Sequence, residues 1–276
     1  MPYVGGGTRQ QHCIFCDHLA ASNDVASLIL HRGQRAFAVM NLYPYNTGHL
    51  MLVPNEHVAS PEQAEPEVLA EIATLKGPLL RALRRVFNCA GFNLGTNVGA
   101  VAGAGIADHL HEHVVPRWQG DANFMPILAS TMVLPELIPV TYAKIRAEMT
   151  REMNGGSRLT CVVLADNDRH VLVETTNQGY LLPVAKAAPN DPLWRAAVQT
   201  IHEITNAHAT IAGWGGLPDT RRTSLALTLR VSESAGDLLP SAYQWIPVEN
   251  VPTSANSADH QIATALTNLR LYRAED

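Results

Sequence analysis

Three histidines fall at alternate positions in the segment ADHLHEHVVPRW, namely His109, His111 and His113. Because a β-strand projects successive side chains to opposite faces, residues two apart share one face. The spacing therefore predicts a strand that carries three imidazoles on one side and, apart from Glu112, apolar residues on the other. Three crowded imidazoles repel one another when protonated, and each needs a partner that sets its tautomer. The pattern therefore indicates a functional cluster and not simple packing.

The stretch NGGS at residues 154–157 divides the chain into two parts with separate patterns. Before it, we expect a hairpin from AFAVMNL and GHLMLVP, a helix over 62–88 that contains Pro78, a strand at GFNLGTNVG and a helix over 134–153. After it, we expect strands at LTCVVLA, HVLVET and TSLALTLRV, with helices over 192–206 and 258–271. The sequence thus predicts an α+β protein with a first domain over 1–153, a linker over 154–157 and a second domain over 158–276.

The composition restricts the class of protein and its partners. A chain of 276 residues with 46% hydrophobic and 16% charged residues is typical of globular domains. The formal net charge of −5 disfavours long nucleic acid and anionic membrane surfaces as partners. The sequence has neither a signal-peptide pattern nor an apolar run of about 18 residues, which predicts a cytoplasmic protein.

The four cysteines fall into two groups. Cys13 and Cys16 form a C-x-x-C pair, which in a reducing compartment indicates a metal site, a redox pair or two buried thiols. Cys89 and Cys161 are isolated, and we expect them to be buried filler of the core.

The first half resembles the histidine-triad (HIT) family of nucleotide hydrolases and transferases. HLHEHVV is similar to the signature His-φ-His-φ-His-φ-φ, in which φ is apolar, although Glu112 departs from it. NLYPYNTGHLMLVPNEHV resembles the hairpin that precedes the triad, and PRWQGDANF resembles an extension found in the diadenosine tetraphosphate phosphorylase branch. This resemblance covers about residues 10–150 and implies a HIT-fold antiparallel sheet with helices.

The resemblance also implies a mechanism and an assembly. His111 is expected to attack the α-phosphate of a dinucleoside polyphosphate such as diadenosine tetraphosphate, with His113 and His109 beside it. A neutral imidazole is a good nucleophile for this step. Phosphate or water accepts the nucleotide, so phosphorylase and hydrolase both stay open. The resemblance implies a homodimer and no organic cofactor.

Further residues match positions that contact nucleotide or metal in the family. The nucleotide-binding candidates are Asn41, His49, Asn97, Gly103, Gly105, Arg117 and Trp118. The glycines are alternatively part of a mobile surface loop. Trp118, Asp121, Asn123 and Phe124 form a polar and aromatic patch, in which an aromatic ring is a candidate to stack on a base. Trp118 and Phe124 are alternatively core residues. The implied zinc ligands are Cys13, Cys16, His57 and His109, with His12 and His18 as substitutes.

The second half resembles a Nudix domain over about residues 157–273, through GYLLPVAKAAPNDPLWRAAVQTIHEITNA and YQWIPVENVP. The Nudix box holds divalent metal with helical carboxylates. In this sequence, Gln199-Thr200 stands where the box has Arg-Glu. Glu203 is therefore the helical carboxylate that remains. We therefore expect a Nudix-like α/β/α sandwich without Nudix hydrolysis.

Two other functions remain as alternatives to phosphoanhydride cleavage. One is a nucleotide-binding sensor with little turnover, which the altered second half favours and the complete triad disfavours. The other is a nucleotidylyltransferase that uses a sugar phosphate, which the third imidazole disfavours. A processor of nucleic-acid ends has no support from the charge balance.

Overall fold

The computed structural model describes residues 13–21, 23–103, 105–121, 136–177, 179–216, 225–232, 239–251 and 257–271. It divides into two compact units, the first reaching Glu136 and the second beginning at Leu137. The candidates His12, Asn123 and Phe124 lie outside the described residues. No helix in the described ranges is long and apolar enough to cross a membrane.

The first unit is built around a five-stranded antiparallel sheet. Its elements are α1 (Ile14–Ala20), β1 (Ile29–Arg32), β2 (Ala36–Met40), β3 (Leu50–Pro54), α2 (Pro66–Phe87), β4 (Gly91–Thr96) and β5 (Glu112–Arg117). The strand order is β1-β2-β3-β5-β4. The predicted hairpin is confirmed, since β2 and β3 pair with Ala36 opposite Pro54 and Met40 opposite Leu50. Both strands are buried at every position, and α2 contacts both of them.

The long helix α2 begins later than the sequence predicts. The prediction started it near Glu62, whereas the helix begins at Pro66, with Glu65 in an extended conformation as its N-cap. Proline suits this first helical position because the amide hydrogen it lacks would have no partner within the helix. The buried face of α2 includes Ile72, Leu79 and Leu83, and the helix continues through Pro78.

The predicted strand across all three histidines is wrong for its first part, because β5 begins at Glu112. The pairing of β5 with β3 ends where Leu52 faces Glu112. Before that point, the Leu110 amide donates to the Val58 carbonyl, 2.6 Å away, in the segment after β3. His109 and His111 therefore lie in an irregular segment that enters the strand.

The long helix α2 explains why the charged residue Glu112 is present on β5. Its carboxylate lies 2.8 Å from the Lys76 ammonium of α2, and both side chains are largely shielded from solvent. A charged residue in an otherwise apolar position is tolerated because an opposite charge comes from the covering helix.

The second unit contains a mixed sheet with helices on both faces. Its elements are α3 (Ile138–Asn154), β6 (Arg158–Ala165), β7 (His170–Thr176), β8 (Gly179–Leu181), β9 (Val184–Lys186), α4 (Leu193–Thr205), β10 (Thr210–Trp214), β11 (Ala226–Arg230), β12 (Tyr243–Pro247) and α5 (Ser257–Leu271). The strand order is β10-β11-β6-β7-β12, with β8 on β7 and β9 on β6. The β6–β11 pair is parallel, whereas the other pairs are antiparallel.

The central strand β6 is covered on both of its faces. Residues 161–165 are all buried, so both alternating sets of side chains are shielded from water. Val162 and Leu164 pack with Ile262 and Leu269 of α5. Helices α3 and α4 both contact β10 and β11, and α4 also contacts β6. The unit is therefore a helix–sheet–helix sandwich, as the sequence predicted.

The helix α3 belongs to the second unit, although the sequence placed it in the first domain, before the linker at 154–157. Tyr142, Ile145 and Met149 of this helix are fully buried, and α3 packs against β10 and α4. Residues 155–157 are instead the short connection from α3 to β6, where Gly155 and Gly156 have φ angles of 76° and 105°. These angles lie in a region that favours glycine.

Candidate functional site

Four imidazoles come together on the face of the β3–β5 pair that carries His113. His113 lies on β5 opposite Met51 of β3, and His49 directly precedes β3. His109 and His111 enter from the segment before β5. His49, His109 and His111 are buried, whereas His113 is half-buried. The pairing of β3 with β5 brings His49 beside His113, which the alternation of side chains along one strand does not achieve by itself.

A chain of hydrogen bonds fixes the tautomers of His49 and His113. The Tyr45 backbone amide donates to His49 Nδ1 over 3.0 Å, so the proton of a neutral His49 is on Nε2. That Nε2–H donates to His113 Nδ1 over 2.9 Å. The proton of a neutral His113 is therefore on its Nε2, at the side of the ring away from His49.

His111 has the opposite tautomer. Its Nδ1 lies 2.8 Å from the carbonyl oxygen of His109, and because a carbonyl only accepts, Nδ1 carries the proton. The lone pair is then on Nε2. The His111 and His113 rings meet edge to face with 4.9 Å between their centroids. The site thus places an imidazole lone pair beside an imidazole N–H donor.

The surroundings keep these imidazoles neutral near physiological pH. Burial, together with the adjacent imidazoles, lowers the pKa of His49 to about 3. Burial and the neighbouring His111 lower the pKa of His113 to about 4. Burial also lowers the pKa of His111 below its usual value, against the opposing effect of the His109 carbonyl. A neutral His111 retains the lone pair that nucleophilic attack requires.

A second group of side chains lies on the other side of His109. One ligand atom from each of Cys13, Cys16, His57 and His109 lies within 4.8 Å of all the others. The Cys13 and Cys16 sulfurs lie 3.2 and 3.7 Å from His109 Nδ1, and the Cys16 sulfur lies 3.4 Å from His57 Nδ1. All four predicted ligands are therefore brought together, and His18 is not in the group.

The donor set fits a tetrahedral metal ion. Bonds of about 2.0–2.3 Å from zinc to nitrogen and sulfur put tetrahedral donors roughly 3.3–3.8 Å apart. The three sulfur–nitrogen distances, 3.2, 3.4 and 3.7 Å, are close to this range. His109 Nε2–H donates to the Pro54 carbonyl over 3.0 Å, so its Nδ1 lone pair faces the two sulfurs. The cluster can therefore bind a metal ion while His109 keeps its hydrogen bond to the Pro54 carbonyl.

The other nucleotide-binding candidates lie at different distances from the imidazoles. Asn41 lies against the cluster, with its Nδ2 3.4 Å from His49 Nδ1. Asn97 directly follows Thr96, the last residue of β4, which pairs with Glu112 at the start of β5. Asn97 therefore leaves β4 at the end of the pair where His111 enters β5. Gly103 and Gly105 are exposed residues of the connection between β4 and β5.

Arg117 and Trp118 are at the far end of β5 and have structural partners. The Arg117 guanidinium donates to both Asp121 carboxylate oxygens over 2.7 Å and to Asn93 over 2.7 Å. The Trp118 indole N–H donates to the Phe87 carbonyl over 3.3 Å, and its ring packs against the Phe87 ring. These contacts agree with the alternative that Trp118 is a packing residue.

Sequence reasoning missed two aromatic residues of the site. The Phe15 ring is buried, with its centroid 5.3 Å from those of both His109 and His111. The Tyr45 ring lies 4.6 Å from His49 and 5.8 Å from His113. Phe15 had one signal in the sequence, its position between the two cysteines. Tyr45 had only its place in the YPYN turn, which does not identify its contacts.

Comparison with known proteins defines the family of the first unit. Residues 23–120 match the model of the HIT domain. AP-4-A phosphorylase from Mycobacterium tuberculosis is 42% identical over 130 residues, which are 47% of this chain and 67% of that protein. The chain belongs to the HIT family. Adenylylsulfatase HINT3 from Arabidopsis thaliana is a more distant relative, 30% identical over 43% of this chain and 58% of its own length.

Solved structures of HIT proteins are also similar to this chain. A Zn-bound histidine triad family protein from Mycobacterium smegmatis has a TM-score of 0.43 and 22% identity, over 52% of this chain and 97% of that one. Membership of the HIT family supports a nucleotide-processing enzyme. The HIT match ends at residue 120 and does not cover the second unit. The Nudix resemblance of the second unit therefore stays a prediction.

Proposed function

We propose that this HIT protein cleaves diadenosine tetraphosphate through a nucleotidyl intermediate on His111, with phosphate as the acceptor. The observation that carries the proposal is the lone pair on His111 Nε2 beside the Nε2–H of His113. The identity to an AP-4-A phosphorylase supports this choice of substrate and acceptor. Water as the acceptor would make the protein a hydrolase.

In the first step, His111 Nε2 attacks the α-phosphorus. A P–N bond forms, the α–β P–O bond breaks, and ATP leaves with the electron pair of that bond. The His113 Nε2–H stabilises the negative charge that develops on the leaving oxygen, so this step requires no proton transfer. The positive charge on the His111 ring is stabilised by the hydrogen bond from its Nδ1–H to the His109 carbonyl.

In the second step, a phosphate oxygen attacks the same phosphorus. A P–O bond forms, the P–N bond breaks, and its electron pair returns to His111 Nε2. The overall reaction converts diadenosine tetraphosphate and phosphate into ATP and ADP. Asn41 and Asn97 are proposed to contact the retained nucleotide, and Gly103 and Gly105 to present backbone amides to its phosphate.

We propose zinc as the metal of the Cys13, Cys16, His57 and His109 site. Zinc would supply structural cross-linking, which ties α1 to the segment before β5. The ring of His109 would bind the metal while its carbonyl holds His111 Nδ1. Both cysteines are free thiols, which agrees with the cytoplasmic location that we propose.

The defining experiment uses diadenosine tetraphosphate with and without phosphate, with products separated by anion-exchange chromatography. The wild-type protein is expected to form ADP and ATP only when phosphate is present. His111→Ala is expected to form no product, whereas His208→Ala, a matched change at an exposed histidine of the second unit, keeps the wild-type rate. AMP and ATP without phosphate would identify a hydrolase, and product formation by His111→Ala would overturn the proposed nucleophile.

A sensor function would give a different single-turnover result. A sensor binds labelled nucleotide without a covalent adduct, whereas the proposed enzyme transfers the label to His111. Acid-stable labelling is not expected, since a phosphorus–nitrogen bond is acid-labile, so the protein is quenched in alkali before analysis. An absent adduct with intact nucleotide binding would favour the sensor.

We also propose that the protein forms a homodimer through β4 and α2. Strand β4 is at one end of the described five-stranded sheet, and Leu94 on it is 44% exposed. An edge strand with an exposed apolar side chain is a ready partner for a second copy. Light scattering is expected to give the mass of a dimer for the wild type and of a monomer for Leu94→Lys.

For the second unit, we propose a Nudix-like sandwich without pyrophosphate hydrolysis. Glu203 on α4 is exposed and accepts a hydrogen bond from Gln199 over 3.0 Å. This arrangement agrees with a solvated helix residue, because a metal site needs several convergent carboxylates. Glu203→Gln is therefore expected to leave all nucleotide turnover unchanged.

A further inference from the structure

Tyr45 presents a flat aromatic surface next to the candidate active site. It lies on the turn between β2 and β3, four residues before His49. Its ring is nearly parallel to the His113 ring, with an interplanar angle of 28° and 5.8 Å between centroids. The residue is nevertheless 60% exposed. One face of the ring therefore lies on the imidazoles, and the other face is open to solvent.

The turn holds this ring in a defined position. The Tyr45 amide donates to His49 Nδ1 over 3.0 Å, and the neighbouring Asn46 side chain donates to the Pro116 carbonyl over 3.2 Å and to Asp121 over 3.0 Å. The backbone of the turn is thus fixed at both the imidazole cluster and the end of β5. An exposed aromatic ring fixed in this way loses little conformational entropy when it binds a ligand.

We propose that the open face of Tyr45 stacks on the nucleobase of the leaving nucleotide. This inference rests on the proposed function, in which a dinucleoside polyphosphate has one nucleoside retained on His111 and one that departs. The departing part lies towards His113, because the His113 Nε2–H is the donor placed to contact the leaving oxygen. Tyr45 lies against His113, and the flexible triphosphate of the leaving nucleotide can bring its base back to this ring.

The chemistry of the ring suits this role. Stacking on an aromatic side chain strengthens binding of a base by roughly 5- to 150-fold and tolerates different bases. Ligands with two nucleosides are therefore expected to bind more tightly than ligands with one. The identity of the second base is expected to have little effect on affinity. A mononucleoside polyphosphate bound through its only nucleoside gains nothing from Tyr45.

A binding experiment separates this subsite from catalysis. His111→Ala protein is titrated calorimetrically with diadenosine tetraphosphate and with adenosine 5′-tetraphosphate, which lacks the second nucleoside. We expect the dinucleotide to bind about 10-fold more tightly. Tyr45→Ala in the same background is expected to remove this difference, whereas Tyr45→Phe and Leu42→Ala, a change at an exposed residue of the same turn, are expected to keep it.

Two results would overturn the subsite. The first is equal affinity of the His111→Ala protein for the two ligands, and the second is a preference that survives Tyr45→Ala. An equal loss for both ligands on Tyr45→Ala would also overturn it, because the ring would then support only the imidazoles. The proposed function is tested separately, since it would be overturned by a wild-type protein without turnover. The affinities of the His111→Ala protein for the two ligands can be measured whatever the outcome of that test.

Discussion

The Nε2 atom of His49 lies 2.9 Å from the Nδ1 atom of His113, so an imidazole outside the triad sets the tautomer of the third triad histidine. His49 is itself oriented by the Tyr45 amide. A residue that acts in this way is a positioning residue, because it reaches the reacting atoms only through His113.

Replacing His49 is expected to reduce kcat more than it changes KM. His49→Leu removes the donor to His113 Nδ1, so the Nε2–H of His113 is no longer enforced, and we expect kcat to fall by about 10- to 100-fold. His49→Gln places an amide N–H near the position of the imidazole Nε2–H and is expected to restore part of the activity. Steady-state kinetics on both variants, beside His208→Gln, measure the effect. Equal losses in the Leu and Gln variants would contradict the hydrogen-bond explanation.

The imidazoles of His49 and His113 are expected to remain neutral down to acidic pH. Their pKa values are lowered to about 3 and about 4, chiefly by burial. NMR of the ring carbon shifts between pH 8 and pH 5 is expected to show no titration of either ring. A midpoint near pH 6.5 for His113 would contradict its burial.

The same pKa shifts make stability depend on pH in a defined direction. Between about pH 4 and pH 6.5, the unfolded chain binds more protons at these two histidines than the folded chain does. The free energy of unfolding therefore decreases as the pH falls through this window, and above it the two groups contribute no pH dependence. Denaturant titration of the wild type and His113→Asn measures this slope, which is expected to be shallower in the variant.

Loss of Cys13 is expected to abolish binding of the proposed zinc ion and to destabilise the first unit. Cys13→Ala removes a sulfur 3.2 Å from His109 Nδ1, and a loss of about 2 kcal/mol would lower Tm by roughly 10 °C for a domain of this size. Metal content by elemental analysis and Tm by calorimetry test this. His18→Ala is the control, and unchanged metal content in Cys13→Ala would exclude this site.

The ion pair between Lys76 and Glu112 is expected to contribute to stability and not to turnover. Their charged groups lie 2.8 Å apart and are mostly shielded, so Lys76→Met leaves a poorly solvated carboxylate and is expected to cost about 1–3 kcal/mol. Adding Glu112→Val should recover most of that loss. A double-mutant cycle from urea unfolding tests the coupling, which would be absent if the pair were fully solvated.

The sequence predicted most of the side chains that the structure brings together in the first unit, but not the contacts that orient them. The alternating histidines, the C-x-x-C pair and the hairpin are local patterns, and they indicated the residues that the structure gathers. The contact of Tyr45 with His49 and His113 depends on the pairing of β3 with β5, and strand register is not readable from one strand. The start of β5 at Glu112 was missed because Leu110 pairs with Val58, in the segment after β3.

The helix α3 was assigned to the wrong side of the boundary for a related reason. Its apolar spacing predicted a helix, and a helix is present, but spacing does not identify which sheet it packs on. The glycines at 155 and 156 were read as an interdomain linker, whereas they allow a tight connection from α3 to β6.

The packing of α3 has a practical consequence for dissecting the protein. A fragment ended at residue 153 would carry a helix whose buried residues, including Tyr142, Ile145 and Met149, have lost the sheet that covers them. Such a strip of apolar side chains in water promotes self-association. A gene truncated before Leu137 encodes the HIT unit without that strip, and the complementary fragment retains the helix that its own core requires.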